Sequence, residues 1–166
     1  MPQVLVAAKC QRWLPYAKCL RSARRGTQGL AAYAWARDNA DAFGGDRTRV
    51  SVAGTSAGAN LATGVARFCR DGDIPTPDRQ TLLYPMVDDD RTRESYTENE
   101  SGPLLSRGAI EHFWGEYLRS PVDRANPYVA PLRGDQSELP ATTVVTDAHE
   151  IANVLGVFAV VFGLAG

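Results

Sequence analysis

Apolar residues along this chain recur with two different spacings, and these spacings predict alternating helices and strands. A first helix is predicted over residues 30–43, because one of its faces carries apolar side chains at helical spacing: Tyr33, Ala36, Ala40 and Phe43. Gly44 follows directly and is typical of a residue that ends a helix. Three short apolar runs, at residues 49–54, 81–87 and 141–146, predict buried strands.

Two further helices connect the predicted strands. Good helix formers without proline predict the first of them over residues 59–70. The other, over 107–119, is capped by Ser106 and has one strongly apolar face, formed by Ile110, Phe113, Trp114, Tyr117 and Leu118. Residues 88–101 predict a solvated loop, and residues 1–28 show no clear strand. This order of elements predicts an α/β fold with a mostly parallel sheet and flanking helices.

Composition and charge are those of an ordinary globular protein. The 166 residues are enough for one domain with its own core, and 44% of them are hydrophobic. The net charge of -1 argues against a nucleic-acid-binding surface. The three cysteines are odd in number and widely spaced, so they predict neither a disulfide framework nor a metal site. The apolar run at the start is too short for a secretory signal peptide, and a reducing cytoplasm is the predicted location.

The most informative short pattern is GTSAGANLA, which places a serine between two glycines after a predicted strand and before a predicted helix. Gly54, Ser56 and Gly58 match the nucleophile elbow, a sharp turn that presents a serine hydroxyl. Glycines two positions before and two positions after the serine let the strand and the helix approach closely. The backbone N–H of Ala57 would then face a developing oxyanion at the positive end of the helix.

Two other interpretations of this turn stay open at the level of the sequence. The first is an ordinary strand-to-helix turn in which Ser56 simply starts the helix. The second is a phosphate-binding loop. It has less support, because no Gly-Lys-Ser/Thr follows the glycines and the Gly-x-Gly-x-x-Gly spacing is absent.

Several sequence blocks, in the correct order, resemble the hormone-sensitive-lipase-like α/β-hydrolases, the group that includes many bacterial carboxylesterases. The blocks cover about residues 29–150 and read LAAYAWARDNADAFGGD, RVSVAGTSAGANLA, LLYPMVD, NPYVAPL and LPATTVVTDAHE. The resemblance implies hydrolysis of carboxylic esters through an acyl-enzyme on Ser56, by a Ser-acid-His triad without metal or cofactor. It also implies that Glu150 occupies the position of the triad acid, with Asp147 as the alternative in a different register.

The printed sequence departs from that family's pattern on both sides of the elbow. The family's His-Gly-Gly-Gly stretch, whose N–H groups complete the oxyanion hole, is not found before Gly44. No histidine follows Glu150, where the family places its general base. The two histidines of the chain are His112, on a predicted helix, and His149. Adjacent strand residues point to opposite faces, so Glu150 would not orient His149 in the way a triad acid normally does.

From these departures we expect a hydrolase truncated at both ends, whose sheet lacks the family's first strands and its last strand and helix. Residues 1–28 are then an atypical basic segment, 29–150 the hydrolase core and 151–166 an atypical apolar tail. As a helix the tail would rise about 24 Å, short of the roughly 30 Å hydrocarbon core, so membrane association is not predicted. The predicted function is weak hydrolysis of small-molecule esters, and the alternative is a non-catalytic remnant that binds small acyl ligands or a protein partner.

Overall fold

The structure, a computed structural model, describes residues 4–8, 22–98, 100–101 and 105–146. It contains the helices and strands that the sequence predicts, together with one further strand and one further short helix. In chain order they are β1 (Val4–Ala8), α1 (Ser22–Asp38), β2 (Val50–Thr55), α2 (Ala57–Asp71), β3 (Arg79–Leu83), α3 (Glu94–Glu98), α4 (Arg107–Tyr117) and β4 (Ala141–Val145). Short 3-10 turns add three more segments, namely Ala40–Phe43, Pro121–Ala125 and Pro131–Arg133.

The strands form one parallel sheet in the order β1-β2-β3-β4. In its register Gly54 lies opposite Leu82, and Leu82 lies opposite Val144. Helices α1 and α2 pack on each other, and both contact β1 and β2. The predicted α/β architecture with a parallel sheet and flanking helices is therefore confirmed. Because all strands run in one direction, their carboxyl ends share one edge of the sheet, and the turn after β2 opens at that edge.

Strand β1 was not expected, because residues 1–28 show no strand pattern of their own. In the structure Val4–Ala8 runs parallel to β2, with Val4 opposite Val50 and Ala8 opposite Gly54. The run is only five residues long, and its neighbour in the sheet lies more than forty positions along the chain. A local sequence pattern does not indicate that such a short run pairs with a strand so far along the chain. The amino-terminal segment thus contains a strand of the sheet as well as the start of α1.

Helix α1 differs from its predicted bounds at both ends. It begins at Ser22 and ends at Asp38, after which residues 40–43 turn as a 3-10 helix. The tighter winding rotates the side chains, and as a result Phe43 is 66% exposed instead of lying on the buried face with Tyr33. Gly44 ends this turn with φ 72 and ψ 14, the left-handed conformation that the sequence predicts for a terminating glycine.

The chain after β3 is less regular and more buried than predicted. The strand ends before Tyr84, because that residue takes φ 47, outside the extended region. The following acidic run is not a simple solvated loop. Within it the side chain of Asp89 is fully buried and pairs with Arg91 at 2.7 Å and with Arg124 at 2.9 Å. The short helix α3 follows, so this segment is anchored against the body of the fold.

In the described part of the chain two apolar clusters make up the core, and the start of α2 lies between them. The first lies between the sheet and helices α1 and α2 and contains Tyr33, Ala40, Val50, Val52, Ala59, Ala62, Val65, Cys69 and Leu82. The second surrounds α4 and contains Met86, Tyr96, Ile110, Trp114, Tyr117 and Val129. Ala57 packs against the second cluster, whereas Ala59, two residues later, belongs to the first. The predicted apolar face of α4 is therefore a core face, as its spacing indicates.

Alkaline solution is expected to destabilise this core. Burial raises the pKa of Tyr33 and Tyr96 from 10.0 to about 12, and that of Cys69 from 9.0 to about 11. Above about pH 9 the unfolded chain loses these protons while the folded chain keeps them, so the free energy of unfolding falls as pH rises.

Urea unfolding at about pH 8 and about pH 10.5 measures this dependence. The variant Tyr33→Phe removes one of the three groups and should make the decline with pH shallower. An unfolding free energy that stays level across this interval would contradict the prediction.

Candidate active site

The turn between β2 and α2 holds Ser56 in an unusual backbone conformation. Its φ is 55 and its ψ is -119, a region that side-chain-bearing residues rarely occupy. Ser56 stands at the N-cap of α2, yet its side chain makes no capping hydrogen bond to the helix. An ordinary helix-starting serine would use its hydroxyl in this way. The half-buried hydroxyl of Ser56 is thus left available for another partner.

Gly54 allows β2 and α2 to meet closely at this turn. A Cβ atom placed on Gly54 would lie 2.2 Å from both the carbonyl carbon and the carbonyl oxygen of Gly58. It would also lie 2.5 Å from the backbone nitrogen of Ala59. Because these are backbone atoms, a side chain at position 54 requires the strand and the helix to move apart. The close approach of strand and helix therefore requires glycine at position 54, in agreement with the elbow pattern.

Backbone hydrogen bonds fix the turn against β3 and the segment that follows it. The N–H of Ser56 donates to the carbonyl of Leu83 at 2.8 Å, which extends the parallel ladder past the end of β2. The carbonyl of Ser56 accepts from the N–H of Asn60 at 3.2 Å and from the N–H of Met86 at 3.3 Å. Ala57 is the first residue of α2, where backbone N–H groups have no acceptor within the helix and the helix dipole is positive. The N–H that the sequence predicts as an oxyanion donor is therefore at a helix start.

An apolar cleft opens beside this turn, and we call it the elbow pocket. Its walls come from α2, from the segment after β3 and from α4. The lining residues are Ala57, Asn60, Leu61, Met86, Phe113, Trp114 and Tyr117. The mostly apolar lining is typical of small-molecule sites. The apolar face of α4 thus has a second role, because three of its side chains also form a wall of this pocket.

Asn60 joins the separate walls of the elbow pocket. Its side chain is buried, and its amide nitrogen donates to the carbonyls of Met86 at 2.6 Å and Val129 at 2.7 Å. Its amide oxygen accepts from the hydroxyl of Tyr117 at 3.1 Å. The sequence pattern alone does not single out this residue. The available signal was an asparagine in the middle of a small-residue helix segment, one turn after Ser56.

The predicted triad acid and the histidine beside it are not among the residues that the structure describes. Glu150, its alternative Asp147 and the candidate base His149 all lie outside those residues. His112 is the sole histidine within the described ranges, and it is exposed on α4. It is not among the residues that line the elbow pocket, although its neighbour Phe113 is. The structure therefore supplies a serine, a backbone donor and a pocket, whereas the role of Glu150 as the triad acid stays a prediction and the general base is not identified.

Among the described side chains no group of three or more His, Cys, Asp or Glu residues is arranged to hold a metal ion. No helix in this part of the chain combines the length and the apolar character needed to cross a membrane. The described cysteine, Cys69, has a free thiol that is buried in the first apolar cluster.

Comparison with known proteins gives consistent results at the level of family and fold. A family model described as alpha/beta hydrolase fold matches residues 26–156. The carboxylesterase NlhH of Mycobacterium tuberculosis is 36% identical over 72% of this chain, and the ethyl acetate hydrolase of Pseudomonas putida is 32% identical over 74% of it. Each match covers 39% of the relative, so the chain spans about two fifths of their length. A hyperthermophilic esterase from the archaeon Pyrobaculum calidifontis superposes with a TM-score of 0.71 and 31% identity, over 79% of this chain and 43% of that one.

Proposed function

Since this chain belongs to the alpha/beta hydrolases, in their hormone-sensitive-lipase-like branch, we propose that it carries the nucleophile and acyl-binding part of a carboxylic ester hydrolase. The observation that carries the proposal is the conformation of Ser56, held at φ 55 at a strand-to-helix turn without a capping bond. Such a turn exposes a hydroxyl at the edge of the sheet where substrates bind. The family resemblance drawn from the sequence is confirmed by the family match.

The proposed chemistry begins with attack of the Ser56 hydroxyl oxygen on the carbonyl carbon of an ester. The new C–O bond moves an electron pair onto the carbonyl oxygen, and this oxyanion accepts a hydrogen bond from the N–H of Ala57. A preorganised donor of this kind contributes roughly 10²–10³ in rate. Collapse of the intermediate expels the alcohol, which takes up the proton lost by Ser56, and leaves the acyl group on the serine. Water then releases the carboxylic acid.

Transfer of that proton needs a base, because a serine hydroxyl is a weak nucleophile at neutral pH. In the proposed assignment Glu150 takes the position of the triad acid, or Asp147 does in a shifted register. The sequence does not identify the general base; His149 is the first residue to test for that role, although Glu150 would not orient its neighbour as a triad acid normally does. All three residues follow β4, whose carboxyl end lies at the same edge of the sheet as Ser56. The parallel order of the strands is what supports this assignment.

The elbow pocket supports an apolar acyl group as the part of the substrate bound beside Ser56. Its wall includes Ala57, the residue directly after the nucleophile, so a group bound there lies next to the reacting carbonyl. The aromatic side chains Phe113, Trp114 and Tyr117 offer apolar surface without a charge. Burial of a methylene group is worth about 0.8 kcal/mol, so short aliphatic acyl groups should bind better than charged ones.

The same pocket favours a second candidate function, the binding of small acyl ligands without turnover. The apolar lining does not depend on a general base, and an acyl ligand would be held whether or not Ser56 reacts. A fluorescent acyl probe that binds equally to the wild-type chain and to Ser56→Ala, with no hydrolysis by either, would support this alternative.

Covalent labelling tests the proposed nucleophile directly. An alkyl fluorophosphonate loses fluoride when a serine hydroxyl attacks its phosphorus, and the adduct resembles the tetrahedral intermediate. We expect one label per folded chain, located at Ser56 by peptide mass spectrometry. The exposed Ser120, which starts a 3-10 turn without a capping bond, serves as the internal control and should stay unlabelled.

Loss of the label after unfolding in urea would show that the reaction depends on the elbow. A folded chain that takes up no label, or that is labelled equally at Ser56 and Ser120, would contradict the assignment of Ser56.

A further inference from the structure

We propose that Asn60 is a positioning residue for the reaction, which holds the strained elbow and the wall of the elbow pocket in one arrangement. The inference rests on the proposed function, since it assigns a role around Ser56. Asn60 lies one helical turn after the serine and does not itself reach the reacting atoms in the mechanism above. It acts through Met86 on one side and through Tyr117 on the other.

The connection to the elbow runs through Met86. The N–H of Met86 donates to the carbonyl of Ser56 at 3.3 Å, and the carbonyl of Met86 accepts from the Asn60 side chain at 2.6 Å. The backbone N–H of Asn60 also donates to the carbonyl of Ser56, at 3.2 Å. These bonds close a small ring of Ser56, Met86 and Asn60. Within it the serine carbonyl is held from two sides, which opposes relaxation of the unfavourable φ.

The connection to the pocket runs through Tyr117 and Val129. The Tyr117 hydroxyl donates to the amide oxygen of Asn60 at 3.1 Å, and Tyr117 is one of the aromatic residues on the pocket wall. The second amide hydrogen of Asn60 goes to the carbonyl of Val129 at 2.7 Å. One side chain therefore joins α2 to α4, to the segment after β3 and to the segment before the last 3-10 turn.

The chemistry of the site explains why an asparagine stands at this position. The two carbonyl oxygens need two donors, which the two N–H groups of a carboxamide supply, and the carboxamide oxygen accepts a hydrogen bond from the tyrosine hydroxyl. Aspartate would place a second acceptor against the carbonyls of Met86 and Val129. Leucine would fill a similar volume but would leave both carbonyls buried without a donor. Each unsatisfied carbonyl would then destabilise the fold by its desolvation penalty.

Hydrogen exchange of the Met86 amide tests the inference without requiring any catalysis. In Asn60→Leu, and in the smaller Asn60→Ser should the first variant fold poorly, we expect this amide to exchange on the order of tenfold faster. The matched control is Thr63→Val, which removes a buried hydroxyl bonded to Ala59 on the same helix and leaves Met86 untouched. Amides in the middle of α2 report whether each variant is folded. Unchanged Met86 exchange in a folded Asn60 variant would overturn the proposal.

A second readout separates positioning from simple stability. The rate of fluorophosphonate labelling at Ser56 should fall by about tenfold or more in the Asn60 variants and stay unchanged in Thr63→Val. Tyr117→Phe keeps the aromatic wall but loses the bond to Asn60, so it should alter the preference among acyl chain lengths more than the labelling rate. If the wild-type chain takes no label, the proposed function fails while the exchange experiment still decides the role of Asn60. Equal labelling of wild-type and folded Asn60 variants would contradict the inference alone.

Discussion

Replacing Ser56 by alanine is expected to reduce hydrolysis of a short-chain p-nitrophenyl ester to the background rate, a loss on the order of 10³-fold or more. The reason is chemical, since the variant lacks the oxygen that would form the proposed acyl-enzyme. The fold should be retained, because alanine meets the same backbone strain at φ 55 and the serine hydroxyl makes no capping bond that would be lost. Initial rates of the purified wild-type chain and of Ser56→Ala, with circular dichroism of both, measure the effect.

The exposed serine variant Ser120→Ala is the control and should hydrolyse the ester at the wild-type rate. The variant His149→Gln, tested in parallel, examines whether His149 is the general base, and a loss similar to that of Ser56→Ala would support that role. Wild-type and Ser56→Ala chains that hydrolyse the ester equally would refute the nucleophile and would make the acyl-binding alternative the better description of the chain.

Replacing Gly54 by alanine is expected to destabilise the fold by at least about 3 kcal/mol, or to prevent folding. The added Cβ would lie 2.2 Å from two backbone atoms of Gly58. Backbone atoms cannot rotate away from the clash as the end of a flexible side chain can. The strand and helix would have to separate where both apolar clusters meet the start of α2. The midpoint of urea unfolding is the measurement, with recovery of folded protein as the first indication.

A glycine-to-alanine change on α4 serves as the control, because it is expected to stabilise the fold and not to destabilise it. A Cβ atom on Gly115 meets nothing within 4 Å, so Gly115→Ala should stabilise the chain by roughly 0.5–1 kcal/mol through the better helix propensity of alanine. Both variants add one methyl group, and their difference isolates the clash at the elbow. Similar midpoints for the two variants would show that β2 and α2 are not held as closely as the structure describes.

The elbow could be predicted from sequence because its determinants are local. Gly54, Ser56 and Gly58 lie within five consecutive positions, and the strand and helix on either side have clear patterns of their own. The same holds for Gly44 and for the Ser106 cap, whose hydroxyl accepts from the N–H of Ala109 at 3.2 Å. Features of this kind are determined by a few neighbouring residues and are visible without knowledge of the tertiary fold.

The features that were missed depend on distant partners. Asn60 bonds to residues 26, 57 and 69 positions away, and nothing in its own neighbourhood indicates them. Strand β1 is identified by its pairing with β2 and not by its own five residues. The stripe on α4 was correctly predicted as apolar, but a core face and a pocket wall have the same sequence pattern. The pocket exists because Phe113, Trp114 and Tyr117 meet α2 across a gap that only the packing of the chain determines.

The backbone of Ser56 also bears on how this gene has evolved. A residue with a side chain at φ 55 costs on the order of 1–3 kcal/mol, whereas glycine adopts that conformation freely. Selection for folding alone would therefore favour glycine at position 56, and mutation from serine to glycine is a short step. A lineage that no longer used the hydroxyl would be expected to accumulate the glycine. If Ser56 carries the proposed reaction, the strained backbone at this position is a cost in stability that comes with presenting its hydroxyl.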